Sequence, residues 1–413
     1  MTVHELVSLR NLHVFASVAA TGCVTRSAEL LFRAQSAVTR SIRDLEEQLG
    51  VALFERKARG MLLNEFGRLV LVRTRRIQEE LLLGHGELSP LGRHTPHLPV
   101  LMNERRLQTF VALTQHHHLS TVAAQRDLSR AAVSASIHEL ESQLKLRLFK
   151  RSAKGHVPTD EGLKLAFRAR RALSELRVIP QDIAATQGTM EGTVTIGALP
   201  LARTVLLPQA MATLVFEHPH LRVRTIESPY EMLVSQLLAG DLDFIIGALR
   251  PIDDSDDLQT EPLFVEPISI MARRGHPLAQ KKRLTDRDLS QATWALSRQG
   301  SPTRDLIAHS FEEMGLNVPA PVVETGDLAI LRGLLLHSDM ITAISPQQMR
   351  YEIDNGSLVI LKYHLEFTHR EIGMTTRRGN LASPGASLLC KEVRRVVEEG
   401  RAARLLEAHA LWS

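Results

Sequence analysis

Polar and basic residues recur at the start of two similar segments, 95 positions apart, in this 413-residue chain. In each segment these polar and basic residues stand at the start of a stretch whose apolar residues have helical spacing. Polar side chains at the start of a helix can reach base edges in the major groove of DNA. A basic pair follows each group and suits phosphate contact. The candidate DNA-binding residues are Gln35, Ser36, Thr39, Arg40, Arg56 and Arg59 in the first copy and Arg130, Ser134, Arg151 and Lys154 in the second.

Other reactive residue types form no pattern with a chemical role. The run His116–His118 has no carboxylate or cysteine at ligand spacing, so we expect no metal site. The two cysteines, Cys23 and Cys390, lie too far apart in sequence for a disulfide framework, which favours a reducing cytoplasm. No nucleophile–base motif and no phosphate-binding glycine loop occurs. The sequence therefore predicts a protein that is not an enzyme and carries no cofactor.

Charge is distributed unevenly along the chain. Hydrophobic residues make up 44% of the chain and charged residues 23%, which is typical of globular domains. Residues 1–188 carry a formal charge of +9 and residues 189–413 carry −5. No apolar run is long enough for a transmembrane helix, and the N-terminus lacks a secretion signal pattern. A basic half that binds nucleic acid, joined to a separate partner domain, is one interpretation of this asymmetry.

An internal repeat positions the candidate residues. The segment SAVTRSIRDLEEQLGVALFERKARG (36–60) recurs as AAVSASIHELESQLKLRLFKRSAKG (131–155), and the register holds without a gap from about residue 9 to residue 77. In each copy, apolar residues at helical spacing predict three helices, and a β-like stretch with a basic turn follows. This order is typical of a winged helix-turn-helix, whose third helix enters the major groove.

At these positions both copies resemble the DNA-binding domain of LysR-type transcriptional regulators. The first copy departs from the family pattern at Ala34, Ser36 and Asn64, and the second has Arg130 in place of glutamine and Ala135 in place of arginine. The matching residues are Ala28, Glu29, Leu31, Gln35, Ala37, Arg40, Ile42, Leu45, Glu46, Leu49, Gly50, Leu53, Phe54, Arg56, Arg59, Gly60, Leu63 and Gly67 in copy 1 and Ala123, Ser129, Ala132, Ser134, Ile137, Leu140, Glu141, Leu144, Leu148, Phe149, Arg151, Gly155, Thr159 and Gly162 in copy 2.

The acidic half alternates predicted strands and helices from residue 192, which indicates a parallel sheet with helices on both faces. Ligands of such sheets bind at the carboxyl ends of the strands, and helix N-termini there favour anions. Ser228–Glu231 resembles a capping box, and Gly300–Thr303 and Thr325–Asp327 also resemble helix starts. The candidate effector-binding residues are Leu199, Pro200, Leu201, Arg203, Tyr230, Gly247, Ser301 and Thr303.

This half is similar to the effector domain of the same regulators, which resembles type 2 periplasmic binding proteins. Many family members carry a ligand-binding hydroxyl near position 201, where this chain has Leu201. The resemblance implies double-stranded DNA, a small-molecule effector and RNA polymerase as partners, a homo-oligomer (dimer or tetramer) and no membrane. The effector is expected to be anionic, of the sugar-acid or aromatic-acid class.

The predicted fold class is a multidomain protein: two α-rich winged helix-turn-helix domains, a long linker helix and an α/β two-lobed effector domain. The predicted boundaries are 7–66 for copy 1, 67–101 for a helix and linker, 102–161 for copy 2, 162–191 for the linker helix and 192–405 for the effector domain, with lobe I at about 192–265 and 366–405 and lobe II at about 266–365.

Two alternatives stay open. A ligand-independent repressor or architectural DNA-binding protein with a vestigial cleft would carry the same motifs. A substrate-binding protein or enzyme on the same α/β fold is disfavoured by the basic repeats. The first copy precedes a Gly-, Pro- and His-rich stretch at 84–103. As a random coil of about 20 residues this linker would reach about 20–25 Å, which predicts that copy 1 touches an adjacent DNA groove. The opposing hypothesis is that copy 1 packs on the protein.

Overall fold

The computed structural model of the protein describes residues 7–57, 60–86, 98–252 and 257–410. The chain divides into two compact units. The first unit runs to Gly192 and includes Ala239–Asp241, and the second contains Thr193–Leu238 and the chain from Leu242 onwards.

Each copy in the first unit folds as three helices, a two-stranded antiparallel wing and a long helix, which confirms the winged helix-turn-helix prediction. Copy 1 comprises α1 (Leu9–Thr21), α2 (Val24–Leu30), α3 (Gln35–Leu49), β1 (Phe54–Lys57), β2 (Gly60–Leu63) and α4 (Glu65–Gly86). The short helix α5 (Leu98–Leu101) precedes copy 2, which comprises α6 (Glu104–His116), α7 (Leu119–Arg126), α8 (Arg130–Leu144), β3 (Phe149–Ser152), β4 (Gly155–Pro158) and α9 (Asp160–Thr186).

Equivalent side chains fix the wing to the third helix in both copies. Glu46 accepts a 2.7 Å hydrogen bond from the backbone N–H of Leu53, and Glu141 accepts one of the same length from Leu148. Each carboxylate satisfies a backbone donor where the chain leaves the helix and enters the wing. This explains why the two copies have glutamate at the same repeat position.

The residue that follows each wing caps the next long helix, although its type differs between the two copies. Asn64 accepts a hydrogen bond from the N–H of Gly67 at 2.8 Å, and Thr159 accepts one from Gly162 at 3.0 Å. Both side chains also donate to a backbone carbonyl just before the wing. Because asparagine and threonine both cap helices well, the departure of Asn64 from the family pattern preserves the structure.

The long helices α4 and α9 pack against each other along an apolar stripe, called here the seam. Arg73 on α4 binds Glu175 on α9, whereas Glu80 binds Arg168, so the two helices run antiparallel. Copy 1 is therefore packed on copy 2, and the expectation of an independently tethered copy is wrong for the described residues. The fully or almost fully buried seam residues are Val70, Thr74, Ile77 and Leu81 of α4 and Leu165, Ala169, Ala172 and Leu176 of α9.

The second unit contains two five-stranded sheets, each covered by helices. Its helices are α10 (Leu206–Glu217), α11 (Tyr230–Leu238), α12 (Asp286–Ser290), α13 (Pro302–Glu313), α14 (Leu328–His337), α15 (Arg350–Asp354) and α16 (Pro384–Ala410). Its strands are β5 (Gly192–Ala198), β6 (Leu221–Ile226), β7 (Phe244–Ala248), β8 (Leu258–Glu266), β9 (Ser269–Arg273), β10 (Thr293–Leu296), β11 (Val323–Glu324), β12 (Met340–Ile344), β13 (Leu358–Ile360) and β14 (Arg370–Arg377).

The sheets are mixed, which corrects the expectation of a parallel sheet. The first sheet has the order β6-β5-β7-β14-β8, with β14 antiparallel to both neighbours, and the second has the order β11-β10-β12-β9-β13, with β9 antiparallel to both neighbours. The chain crosses between the sheets twice, after β8 and after β13, and the first strand reached after each crossing, β9 or β14, enters its sheet in the reverse direction. This gives the predicted two-lobed α/β plan.

Candidate functional site

The third helix of copy 1 separates a buried face from a polar face. Val38, Ile42 and Leu45 recur at intervals of three or four residues and are buried in the core. This spacing places the three residues on one side of α3, so the opposite side of the helix faces solvent. The predicted contact residues Gln35, Ser36, Thr39 and Arg40 are all exposed.

Arg40 is held only weakly by its own protein. Its side chain is 83% exposed, and its Nε lies 3.9 Å from the carboxylate of Asp44, too far for a hydrogen bond. Arg43, one turn along the helix, is instead paired with Glu47 at 2.7 Å. Arg40 thus has donors available for a guanine edge or a phosphate.

The third helix of copy 2 has the same geometry and different chemistry. Ser129 caps α8 by accepting a hydrogen bond from Ala132, whereas Ala34 at the equivalent position of copy 1 provides no side-chain cap. Arg130 and Ser134 are exposed, as is Ala135 at the position equivalent to Arg40. The two recognition helices therefore present unlike donor sets.

Each copy carries further basic residues in the segment of its wing. Arg56 lies in β1 opposite Met61, and Arg59 lies outside the described residues. In copy 2, Arg151 and Lys154 are both exposed. Arg147, which the sequence patterns did not single out, is a further exposed basic residue just before β3, with 84% of its side chain exposed. The repeat offered no signal for it, because copy 1 has alanine there.

The histidine run forms a backbone contact in copy 2. His117 adopts a left-handed conformation at the end of α6, and its carbonyl accepts a hydrogen bond from His156 in the wing. A side chain at Gly155 would approach that carbonyl to 2.4 Å. Within the described ranges, no cluster of three or more histidine, cysteine or acidic residues could hold a metal ion.

The predicted effector residues after β5 divide between core and surface. Pro200 is exposed at the start of a 3₁₀ turn, and Leu201 in the same turn is buried. Leu199 lies against Gly247, where a methyl group in place of the glycine hydrogen would come within 2.4 Å of the leucine Cβ. Gly247 therefore allows the end of β7 to approach the turn closely.

Arg203 points back at its own strand. Its Nε and Nη2 donate to the carbonyl of Ala198 at 2.8 and 2.6 Å, and desolvation lowers the pKa of its guanidinium. It lines a largely apolar groove of about 490 Å³ between α10 and the end of β6, together with Leu207, Met211 and Glu227. Among the predicted effector residues, Arg203 alone contributes to this groove.

Tyr230 is covered by an arginine. The Arg250 guanidinium lies 4.2 Å from the centre of the Tyr230 ring and donates a 2.7 Å hydrogen bond to Glu231. A hydrogen bond from its own backbone N–H, followed by the charge of Arg250, lowers the pKa of Glu231. The glutamate expected to complete a capping box therefore pairs with Arg250.

The second lobe presents helix starts at its strand ends, as the sequence predicted. Ser301 caps α13 by accepting from Arg304, and Asp327 caps α14 by accepting from Ile330. Thr303, in the first turn of α13, accepts a 2.9 Å hydrogen bond from Arg370 at the start of β14.

Two further polar residues near the start of α13 were not predicted from the sequence. The Oγ of Ser297, directly after β10, and the Nε of Arg370 are buried without a hydrogen-bond partner among the described residues. Buried polar atoms normally have partners, so both donors are available for a hydrogen bond to a bound molecule or to water. Arg370 lies 67 residues from Thr303, and no local pattern announces their contact.

Two family models match the chain. The model described as LysR substrate binding domain matches residues 187–398. The model described as bacterial regulatory helix-turn-helix protein, lysR family, matches twice, at residues 9–68 and 105–163. The second match covers the duplicated segment.

Similar curated proteins differ in how much of the chain they cover. The HTH-type transcriptional regulator GalR of Pseudomonas putida is 45% identical over 400 residues, 96% of this chain and 98% of its own. The HTH-type transcriptional regulator GbpR of Azospirillum brasilense is 29% identical and covers 71% of this chain and 88% of its own.

Solved structures share the fold. A full-length OxyR from Pseudomonas aeruginosa has a TM-score of 0.54 and 21% identity over 72% of this chain and 94% of its own. Full-length CbnR complexed with its target DNA has a TM-score of 0.52 and 17% identity over 71% of this chain and 100% of its own. Among the described residues, no helix has the length and apolarity needed to cross a membrane.

Proposed function

Because the chain belongs to the LysR family of bacterial transcriptional regulators, we propose that both of its winged helix-turn-helix copies read double-stranded DNA and that a small anionic metabolite controls the outcome. The relatives named above are regulators, so the activity is binding and not catalysis. The observation that carries the proposal is the presence of two exposed polar helix starts, on α3 and α8, each beside a wing.

The proposed DNA contacts follow from exposure and chemistry. Gln35, Arg40 and Arg130 are the long exposed donors at the starts of the two recognition helices, and they suit base edges. Ser36, Thr39 and Ser134 supply shorter hydrogen-bonding groups beside them. The wing residues Arg56, Arg59, Arg151 and Lys154 are proposed to contact phosphates, with Arg147 as an addition.

The proposed effector contacts lie at the strand ends of the second unit. The N-termini of α13 and α14 direct free N–H groups and partial positive charge to this edge. The Nε of Arg370 and the Oγ of Ser297 add buried donors that lack partners among the described residues. Such a donor set favours a carboxylate, and we propose a sugar acid or an aromatic acid as the effector. Arg370 would then supply the polar contact that Leu201 cannot.

The same proposal includes assembly and partners. The family and its solved structures are consistent with a homo-oligomer, and we propose a dimer or tetramer. RNA polymerase is the proposed protein partner, and the cytoplasm the proposed location.

One experiment tests the DNA half and the effector half together. The full-length protein is used to select ligands from random double-stranded DNA, and the enriched sites are measured by fluorescence anisotropy with panels of sugar acids and aromatic acids. We expect enriched sites and at least one acid that shifts both DNA affinity and thermal stability. The Arg370→Ala variant should lose the response to that acid and retain DNA binding.

Other outcomes are informative. Failure to enrich any site contradicts the proposed function. Enrichment without a response to any acid supports the ligand-independent repressor or architectural protein.

A further inference from the structure

The contacts between α4 and α9 come in matched pairs. Arg73 binds Glu175 at 2.7 Å, and Arg168 binds Glu80 at 3.0 Å. Adding 95 to Arg73 gives Arg168, and subtracting 95 from Glu175 gives Glu80. The second bond is therefore the first bond with the roles of the two copies exchanged.

A second pair of bonds repeats this relationship. Arg76 binds Glu175 at 2.7 Å, and Arg171 binds Glu80 at 2.7 Å. These residues are also equivalent under the 95-residue shift. Reciprocal contacts of this kind, where i meets j and the equivalent of j meets the equivalent of i, define an interface with two-fold symmetry. Here the symmetry operates within a single chain.

The apolar contacts obey the same rule. The four seam residues of α4 and the four of α9 are equivalent under the shift, so both copies bury the same face. The register of the ion pairs puts Ile77 opposite Ala172, which are themselves equivalent residues, at the pseudo-two-fold axis. The whole seam is buried, so this face of α9 is already covered by α4 and is closed to a second chain.

From this interface we infer that one chain is by itself a two-reader DNA-binding unit, a fused pseudo-dimer whose DNA partner is a pair of inverted, unlike half-sites. This inference rests on the proposed DNA-binding function. A two-fold relation between readers matches the inverted half-sites that dimeric helix-turn-helix proteins bind. The chemistry of the two helices differs, because Arg40 in α3 is replaced by Ala135 in α8 and Gln35 by Arg130.

The asymmetry gives the protein an orientation on DNA that a homodimer of identical readers lacks. One half-site is read by Gln35, Thr39 and Arg40, and the other by Arg130 and Ser134. Arginine prefers a guanine edge and glutamine an adenine edge, so the first base read differs between the halves. A single chain then fixes which half faces a promoter.

The first arm of the test asks whether α4 pairs with α9 of the same chain or with α9 of a second chain. In a Cys23→Ser, Cys390→Ser background, the full chain carries Ile77→Cys with Ala172→Cys and is oxidised mildly. We expect an intramolecular disulfide and no covalent dimer on a denaturing gel. Two differently tagged chains, one with Ile77→Cys and one with Ala172→Cys, are co-expressed as the control and should give no cross-linked product. A covalent dimer in either sample would overturn the inference.

The second arm asks whether the bound DNA contains two inverted half-sites of different sequence. Sites selected from random double-stranded DNA should contain two different inverted halves. Arg40→Ala should relax preference in one half and Arg130→Ala in the other, each with about a ten- to hundredfold loss at that half alone. Two identical halves that respond together to Arg40→Ala would overturn the inference. A lack of any selected site, with the intramolecular disulfide present, would contradict the DNA-binding function and leave the fused pseudo-dimer intact.

Discussion

Glu80 on α4 and Glu175 on α9 hold equivalent positions in the two copies, and each binds two arginines of the opposite helix. Both carboxylates are buried. Buried charges are tolerated only when they are paired and hydrogen-bonded, so each glutamate depends on the other copy for its partners. The pair of glutamates thus ties the fold of one copy to the presence of the other.

The first prediction tests this dependence. Glu80→Gln leaves Arg168 and Arg171 without their carboxylate in a buried place and should lower the free energy of unfolding of the first unit by about 3 kcal/mol. Glu79→Gln is the matched control, because Glu79 is exposed on the same helix, and it should change stability by less than about 0.5 kcal/mol. Urea unfolding followed by circular dichroism measures both. Equal midpoints for the two variants would show that the buried ion pairs contribute nothing.

The second prediction concerns sequence reading by copy 1. Arg40→Ala should weaken binding to a selected site about ten- to hundredfold and should leave binding to random DNA nearly unchanged. Arg43→Ala serves as the control, since Arg43 is also exposed on α3 and is paired with Glu47. Anisotropy titrations with both DNAs give the ratio. A parallel loss on random DNA would identify Arg40 as a phosphate contact.

The third prediction concerns the close approach at the end of β7. Gly247→Ala puts a Cβ 2.4 Å from that of Leu199, at a φ of 149° that side chains rarely adopt, and should destabilise the second unit by about 2 kcal/mol or more. Gly333→Ala is the control, because its Cβ would meet open space within α14 and alanine favours helix by up to about 1 kcal/mol. The midpoint of thermal unfolding should fall in Gly247→Ala and rise in Gly333→Ala. An unchanged unfolding midpoint in Gly247→Ala would show that the turn at Leu199 can move to accommodate the extra methyl group.

The fourth prediction separates the two thiols. Hydrogen bonds from the backbone at the start of α2 lower the pKa of exposed Cys23, whereas desolvation raises the pKa of Cys390 to about 12. A lowered pKa increases the thiolate fraction at pH 8, so Cys23 should be alkylated by iodoacetamide many times faster than Cys390. Peptide mass spectrometry measures both rates, and Cys23→Ser should remove the fast reaction. Rapid modification of native Cys390 would contradict its raised pKa.

Local elements of this protein were predictable because they depend on nearby residues. The spacing of Val38, Ile42 and Leu45 predicted α3, and the Ser301-Pro302 pair predicted the start of α13. Helix periodicity and capping act over one or two turns, so a short window of sequence contains their signal. The 95-residue repeat extended the same signal to a second domain of the same fold.

Tertiary structure alone decided how the copies associate. The sequence predicted a linker at 84–103 and an independently tethered copy 1, whereas α4 packs on α9 and Arg73 meets a glutamate 102 residues away. Arg370 likewise meets Thr303 from a distant strand. Such contacts depend on which buried charges and apolar stripes complement each other after each helix has formed. Helix periodicity shows that α4 has an apolar stripe and does not identify the stripe that covers it.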